Sequence, residues 1–266
     1  MNNLAVCITN DNKTVTPYET IDAVVNAGFK NVFIQWYDQD FEVSQEEQLK
    51  YIRSKNLNVI FAHLGYKDLN NIWLENEIGE QLEKKYLRNL DECKNNNIDM
   101  VVMHASIGWD TVEPNEIGLR RYQRICDYAE KLGIKVAFEN TKMKGYLEYL
   151  LKNIKNDNVG ICFDSGHYHC HFKDEFDFSL FKDKIFCVHI HDNYGKIDDH
   201  LLPYDGTLDY SKVINGLKSA NYKGYTTLEI CYRMNYVDKI SLNDFYVKGY
   251  KIGEELDKLL KEEKWS

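Results

Sequence analysis

Short runs of β-branched and aromatic residues alternate along this chain with longer segments whose apolar positions recur at helical spacing. That pattern predicts parallel strands joined by crossover helices. Eight strands are expected, over Leu4–Thr9, Asn31–Trp36, Asn58–His63, Met100–Ala105, Lys135–Asn140, Val159–Asp164, Ile185–His191 and Tyr225–Ile230. Between them the spacing predicts helices over Pro17–Ala27, Gln45–Lys55, Glu77–Asn95, Glu116–Leu132, Gly145–Asn153 and Tyr210–Ser219, with a last helix from about Leu242 to Lys261. The stretches AGFKN, KLGIK and NYKGY, around Gly28, Gly133 and Gly224, read as helix stops with a glycine near the C-cap. No proline-, glycine- or serine-rich linker divides the chain, and no repeat beyond the βα rhythm is present. Eight βα units in 266 residues is the count of a closed (β/α)8 TIM barrel forming a single domain over residues 1–266. A doubly wound sheet would more typically have about five to seven strands.

Composition narrows the class. With 44% hydrophobic and 13% aromatic residues a sizeable core is available, which excludes disorder, collagen and small disulfide scaffolds. A net charge of −9 with no block of lysine or arginine argues against nucleic acid as a partner held mainly by phosphate neutralisation. The seven cysteines are odd in number, and Cys7, Cys162, Cys187 and Cys231 fall in strand-like apolar runs where buried free thiols are common. A reducing cytoplasm is therefore expected. The opening MNNLAVCITN has no basic n-region, and no run approaches the roughly 18 apolar residues of a membrane span. A soluble, unexported protein without a membrane partner is the expectation.

All eight histidines, at 63, 104, 167, 169, 171, 189, 191 and 200, lie at predicted strand ends or in the loops after them, and none lies within a predicted helix. In a barrel those ends form the rim on which active sites are built. Glu139 in VAFEN, Asp164 in ICFDSGH and Glu229 in TTLEI sit in the same positions, in or beside apolar runs. Burying one ionised carboxylate costs several kcal/mol unless it is paired or bound to a cation. Three on one rim call for a shared explanation. With His189 they make a Glu/Asp/His/Glu set from strands five to eight, and such oxygen and imidazole ligands suit one divalent ion of Mn, Zn, Co or Mg. The set has no thiolate, which disfavours a structural zinc held by four cysteines.

Each element also has a plainer reading. A single acidic residue at a strand end is more often a helix N-cap or a loop hydrogen-bonder. His63 and His104, taken singly, are core histidines bonded to backbone; occurring at adjacent strand ends they become candidates for substrate binding. In HYHCH only His167 is assigned a function, with His169 and His171 read as loop residues. His191 shares the strand face of His189 one step along the barrel axis and stands behind the ligands. Asp198 and His200 form a DxH that is either ordinary surface loop or a further ligand or substrate contact. Trp36 and Trp109 offer an apolar wall above the rim or plain packing, and Arg233 a contact to a hydroxyl or phosphate or a solvated loop arginine. No GxSxG, Walker A, HExxH, CxxC or GxGxxG after the first strand is present.

AFEN at 137–140, CFDSGH at 162–167, VHIHDN at 188–193, DDHLLP at 198–203 and TLEI at 227–230 together resemble the xylose isomerase-like TIM-barrel superfamily. Its members include sugar-phosphate isomerases and epimerases, ketose 3-epimerases, hydroxypyruvate isomerase, inosose-processing enzymes and endonuclease IV. The resemblance to the epimerase-type members implies a metal held by Glu139, Asp164, His189 and Glu229, with His167 contacting substrate. It also implies that Glu139 and Glu229 act as the catalytic pair that removes and returns a proton beside the carbonyl. The residues thus point to a divalent-metal-dependent isomerase or epimerase of carbohydrate metabolism, acting on a small sugar, sugar acid or inositol derivative through an enediolate. Self-association into a homo-oligomer stays open.

Two alternatives remain. The trinuclear zinc set of endonuclease IV would map onto His63, His104, Glu139, Asp164, His167, His189, Asp198, His200 and Glu229, which makes a zinc phosphodiesterase acting on abasic DNA the first. The acidic balance and the short loops after strands one and two speak against it. YDGTLDY after DDHLLP replaces the family's PG-rich turn and leaves the geometry of the His200 loop open. A non-catalytic sugar-binding barrel is the other alternative, against which stands the presence of both Glu139 and Glu229.

Overall fold

The computed structural model describes residues 3–9, 15–36, 43–172 and 175–262. Eight strands run through it: β1 (Leu4–Ile8), β2 (Asn31–Trp36), β3 (Asn58–Leu64), β4 (Met100–His104), β5 (Lys135–Glu139), β6 (Val159–Asp164), β7 (Ile185–His189) and β8 (Thr226–Leu228). All are parallel and follow one another in chain order, with β8 also pairing β1. The ring is brought together between β7 and β8 just past the end of β7. There Ile190 donates to the Thr227 carbonyl at 2.8 Å and Glu229 donates to the Ile190 carbonyl at 3.0 Å. The chain is therefore a single-domain (β/α)8 barrel.

Residues of alternate parity face alternate sides of each strand, and the barrel sorts them accordingly. Ala5, Cys7, Phe33, Phe61, Val102, Ala137, Cys162 and Cys187 pack together in the interior. Leu4, Val6, Val32, Ile34, Val101, Met103, Val136, Phe138, Ile161, Phe163 and Val188 belong to the larger outer layer beneath the helices. The interior thus uses small side chains and thiols between two aromatic rings. All seven cysteines are free, and Cys7, Cys162 and Cys187 are among the buried ones.

The helices are α1 (Pro17–Ala27), α2 (Gln45–Ser54), α3 (Glu77–Asn95), α4 (Glu116–Leu132), α5 (Tyr146–Asn153), α6 (Ser165–His167), α7 (Tyr210–Ser219), α8 (Tyr232–Asn235) and α9 (Leu242–Lys261). Thr16 with Glu19 and Ser44 with Glu47 form capping boxes that satisfy the first amides of α1 and α2. Gly28 and Gly133 end α1 and α4 in the left-handed conformation, as the sequence predicts. Gly224 does not play that part; after α7 the left-handed residue is Asn221, whose short polar side chain tolerates it. β7 and β8 end at His189 and Leu228, short of the predicted His191 and Ile230, and past His189 the pairing goes on only as the Ile190–Leu228 bridge. His167 lies in α6, and His169 and His171 lie in the π-helical turn Tyr168–Phe172, so three histidines expected in a loop are in fact helical. Among the described residues no helix is long and apolar enough to cross a membrane.

Between β3 and α3 a 3-10 turn, Leu69–Trp73, buries Trp73 against α4. Its indole donates to the Ala105 carbonyl at 2.7 Å, and the buried Arg121 guanidinium donates to the carbonyls of Ile72 and Leu74 at 2.9 and 2.6 Å. Gly118 makes this approach possible, since a Cβ there would stand 2.0 Å from Trp73 Cε3. Gly118→Ala is expected to destabilise the fold by about 1–3 kcal/mol through overpacking; a denaturant midpoint equal to that of the parent would contradict this contact.

Candidate functional site

The inward parity that places Ala137, Cys162 and Cys187 in the interior carries on, one step further along each strand, to Glu139, Asp164 and His189. On neighbouring strands it carries to His63 and His104. These side chains are nearly inaccessible, and Asp164 and His189 are fully buried. Beneath them the Phe33 ring lies parallel to the His189 imidazole at 4.9 Å and stacks on Phe61 at 4.6 Å. The polar cluster thus rests on an apolar floor, where charges interact strongly because water is excluded.

His189 is the meeting point. Its Nδ1 lies 3.2 Å from Glu139 Oε2, 3.8 Å from Asp164 Oδ2 and 3.2 Å from Glu229 Oε2. Although these are ion-pair distances, neither ring nitrogen of His189 has a partner in hydrogen-bonding geometry among the described residues. Glu139 and Glu229 lie off its N–H direction, and Asp164 lies beyond hydrogen-bonding distance. Glu139 gathers further rings: Oε1 is 2.9 Å from His167 Nδ1, and Oε2 is 3.1 Å from His63 Nε2 and 3.5 Å from His104 Nε2.

The tautomers sharpen the picture. His63 Nδ1 must donate to the Leu64 carbonyl at 3.1 Å, which turns an Nε2 lone pair of the neutral ring toward the Glu139 carboxylate. His200 is anchored in the same way, with Nδ1 donating to the Glu229 carbonyl at 2.9 Å and Nε2 3.0 Å from Asp198 Oδ2. Two electron-pair donors face each other stably at such distances only with a proton or a cation between them. A backbone carbonyl fixing the far nitrogen is also how metal-binding imidazoles are oriented. Donor atoms within 4.8 Å of one another form four overlapping groups: His63–Glu139–His189, Glu139–Asp164–His167, Asp164–His191–Glu229 and His191–Asp198–His200. Oxygen and imidazole donors of this kind fit a divalent cation.

Burial opposes charge on each of these groups, and the partners overcome it in most. Glu229 and Glu139 hold His189 well above the ordinary imidazole value, and Asp198 does the same for His200. Against the same burial, Asp164 and Glu139 raise His167 to about 10. In return His189 and His200 draw the Glu229 carboxyl down to about 2, and His104 and His189 hold Glu139 well below the usual carboxylate range. His104 is the exception, since burial lowers it more than Glu139 raises it.

His63, His104, His167, Asp198, His200 and Glu229 all join this cluster. His191 lies behind Asp164, its Nε2 3.0 Å from Oδ2, and stacks on His200 at 4.2 Å. Gly166 leaves the space for that ring, since a Cβ there would come within 2.0 Å of it. His169 turns away to bond Thr207 at 2.9 Å. Trp109 stands on the rim, 64% exposed. The side chain of Arg233 lies outside the described residues. Trp36 is not part of the wall: it shares the outward parity of Val32 and Ile34, is buried under α3, and donates to Glu92 Oε2 at 2.9 Å.

Several supports were not anticipated. Asn140 accepts from the Asp164 amide at 2.6 Å and donates to its carbonyl at 2.9 Å, fixing β5 to β6 at the height of Glu139 and Asp164. Ser165 exchanges hydrogen bonds with the His191 backbone. Tyr66 stacks on His104 at 4.4 Å, nearly parallel. Asp192, fully buried, accepts from the amides of Asn193, Tyr204 and Leu208 and so shapes the loop carrying Asp198 and His200. The one signal for these in the sequence is polarity directly after an apolar run, which does not tell a scaffold residue from a ligand.

The fold and the rim define the class: a (β/α)8 barrel with a mixed carboxylate and imidazole cluster at the C-terminal ends of its strands. Residues 21–252 match the xylose isomerase-like TIM barrel model, and the chain belongs to that family. Among solved structures, a D-tagatose 3-epimerase-like protein superposes with a TM-score of 0.75 at 19% identity, covering 97% of each chain. D-psicose 3-epimerase from Clostridium cellulolyticum H10 does so with 0.72 at 12% identity, covering 97% of this chain and 99% of its own. At these identities the likeness is one of fold. An uncharacterised protein of Sinorhizobium fredii is 31% identical over 176 residues, 60% of this chain and 55% of its own. A protein named "Probable endonuclease 4" from Mycoplasma capricolum subsp. capricolum is 25% identical over 134 residues, 43% of this chain and 46% of its own. The chain thus spans about half the length of the curated relatives it matches.

Trp36→Phe is expected to cost about 1 kcal/mol of stability through the lost bond to Glu92, with the metal content of the protein unchanged. A loss of bound metal in this variant would place Trp36 at the site after all.

Proposed function

We propose that the chain is a divalent-metal-dependent isomerase or epimerase acting on a small sugar, sugar acid or inositol derivative. The observation that carries this reading is the convergence of Glu139, Asp164 and Glu229 on one nitrogen of His189 at 3.2–3.8 Å without hydrogen-bonding geometry. Those four residues would hold the ion. Bound there, a divalent cation supplies Lewis-acid polarisation of neighbouring carbonyl and hydroxyl oxygens.

The chain's own residues do the rest. Glu139 on β5 and Glu229 after β8 approach His189 from strands three apart around the barrel, so they flank a substrate lying across the rim. One carboxylate takes the proton from the carbon beside the carbonyl, and an enediolate results. In an isomerisation the carboxyl so protonated would give that proton to the neighbouring carbon while the hydroxyl proton passes to the former carbonyl oxygen; in an epimerisation the opposite carboxyl, having taken up a proton when substrate binds, would deliver it to the same carbon from the other face. His167, with its imidazole drawn toward the charged form, donates a hydrogen bond to a substrate oxygen. Phe33 and Phe61 close the floor and keep water from beneath the reacting carbon.

A second reading is favoured by the donors that a single ion leaves unused: His63 and His104 beside Glu139, and His191 and His200 beside Asp198. It is a zinc phosphodiesterase acting on abasic DNA, in keeping with the endonuclease 4 relatives. Elemental analysis of protein purified without added metal or chelator separates the two. The isomerase reading expects about one Mn, Zn, Co or Mg per chain, lost in Glu139→Ala. Two or three zinc ions per chain, with cleavage at abasic sites, would give the second reading first place. In a ketose found to exchange a carbon-bound proton with solvent, Glu229→Gln should slow that exchange by about 10²–10⁴-fold. Exchange at the parental rate in that variant would refute the catalytic pair.

A further inference from the structure

Three consecutive rim loops bring Trp109, Lys142 and His171 together outside the ligand cluster. Lys142 follows β5 by three residues, and its Nζ stands 4.7 Å over the Trp109 ring. The His171 ring meets the same indole edge-to-face at 5.9 Å. On its other side His171 stacks on His167 at 6.1 Å, and His167 Nδ1 reaches Glu139 at 2.9 Å. The trio therefore stands one imidazole away from the proposed reacting centre. In a chain of net charge −9 whose rim is crowded with carboxylates, Lys142 is nonetheless in no ion pair with a carboxylate among the described residues. Its neighbour Lys144 does pair, with Glu175. The indole face holds the Lys142 ammonium in place by cation–π attraction and leaves N–H donors free to point elsewhere.

An ammonium held against an aromatic face and beside an imidazole, with no carboxylate paired to it among the described residues, suits an oxyanion better than a neutral hydroxyl. Charge-assisted hydrogen bonds are the stronger ones, and the indole strengthens them by excluding water from one side. We propose that Lys142, with His171 and against the Trp109 ring, forms an anion subsite that binds a phosphoryl or carboxyl group on the substrate, remote from the carbons that exchange protons. This rests on the reading of the rim as a sugar- or polyol-converting site and specifies its substrates as acidic ones. No covalent step is involved.

Trp109 itself is the reporter, since its ring carries the contact. Its emission would be followed during titration with inorganic phosphate, ribulose 5-phosphate, gluconate and, as the neutral counterpart, ribulose. Each titration would use protein as purified and after chelator treatment, with Trp109→Phe to identify the signal. A saturable response to phosphate and ribulose 5-phosphate is expected, insensitive to the chelator, weakened about tenfold or more in Lys142→Met and recovered in Lys142→Arg. Ribulose should give no such response. A matching response to gluconate assigns the subsite to carboxyl groups as well, and its absence assigns it to phosphoryl groups; both support the subsite. Equal affinity in the parent and Lys142→Met, equal responses to ribulose and its phosphate, or no saturation with phosphate would each overturn it. Phosphate binding that disappears on chelation but persists in Lys142→Met would put the anion on the metal, ending the Lys142 assignment while leaving the metal reading intact. Lys142-dependent binding in a protein that carries no metal and exchanges no protons would do the reverse.

Discussion

An ionised carboxylate inside a barrel costs several kcal/mol unless positive charge reaches it, and the rim of this protein is arranged around that constraint. Glu139 and Asp164 are buried among the strand ends, and among the described residues the groups paired with them are imidazoles, with no lysine or arginine. Imidazoles suit this place because each can carry a proton or offer a lone pair to a cation, so one cluster can be neutralised in either way. His63 and His200, each anchored through Nδ1 to a backbone carbonyl, turn the other nitrogen toward a carboxylate.

The scaffold makes such a cluster tolerable by ordering it from below and behind. Phe33 and Phe61 form an apolar floor, so the carboxylates and imidazoles above it interact through a poorly screening medium. Asn140 ties β5 to β6, and Asp192 gathers three amides to hold the loop that returns Asp198 and His200 over the rim. The exposed Trp109, with Lys142 and His171, stands outside this base.

Much of this was legible in the chain. Period-two alternation in runs such as KVAFE and VGICFD marks a strand and also fixes which residues share a face, so Glu139 necessarily faces with Ala137, and Asp164 with Cys162. The same parity puts Trp36 with Val32 and Ile34 on the outer face, and reading it as a wall above the rim neglected that rule. The helical setting of His167, His169 and His171 was hidden because a tight turn of helix and a π-helical turn leave no amphipathic period to detect. Asn140, Ser165 and Asp192 were missed because each bonds to backbone that comes near only after folding.

The sequence by itself determined the eight βα units and the inward-facing carboxylates and imidazoles at their ends, because these follow from local periodicity and the geometry of an extended chain. Only the tertiary structure decided that His63, separated from Glu139 by 76 positions, lies 3.1 Å from it, that three carboxylates close on His189, and that Lys142 settles on Trp109. Such distances depend on how the ring of strands closes and how each loop folds back over it. Both are set by packing between residues far apart in the chain, which no local pattern records.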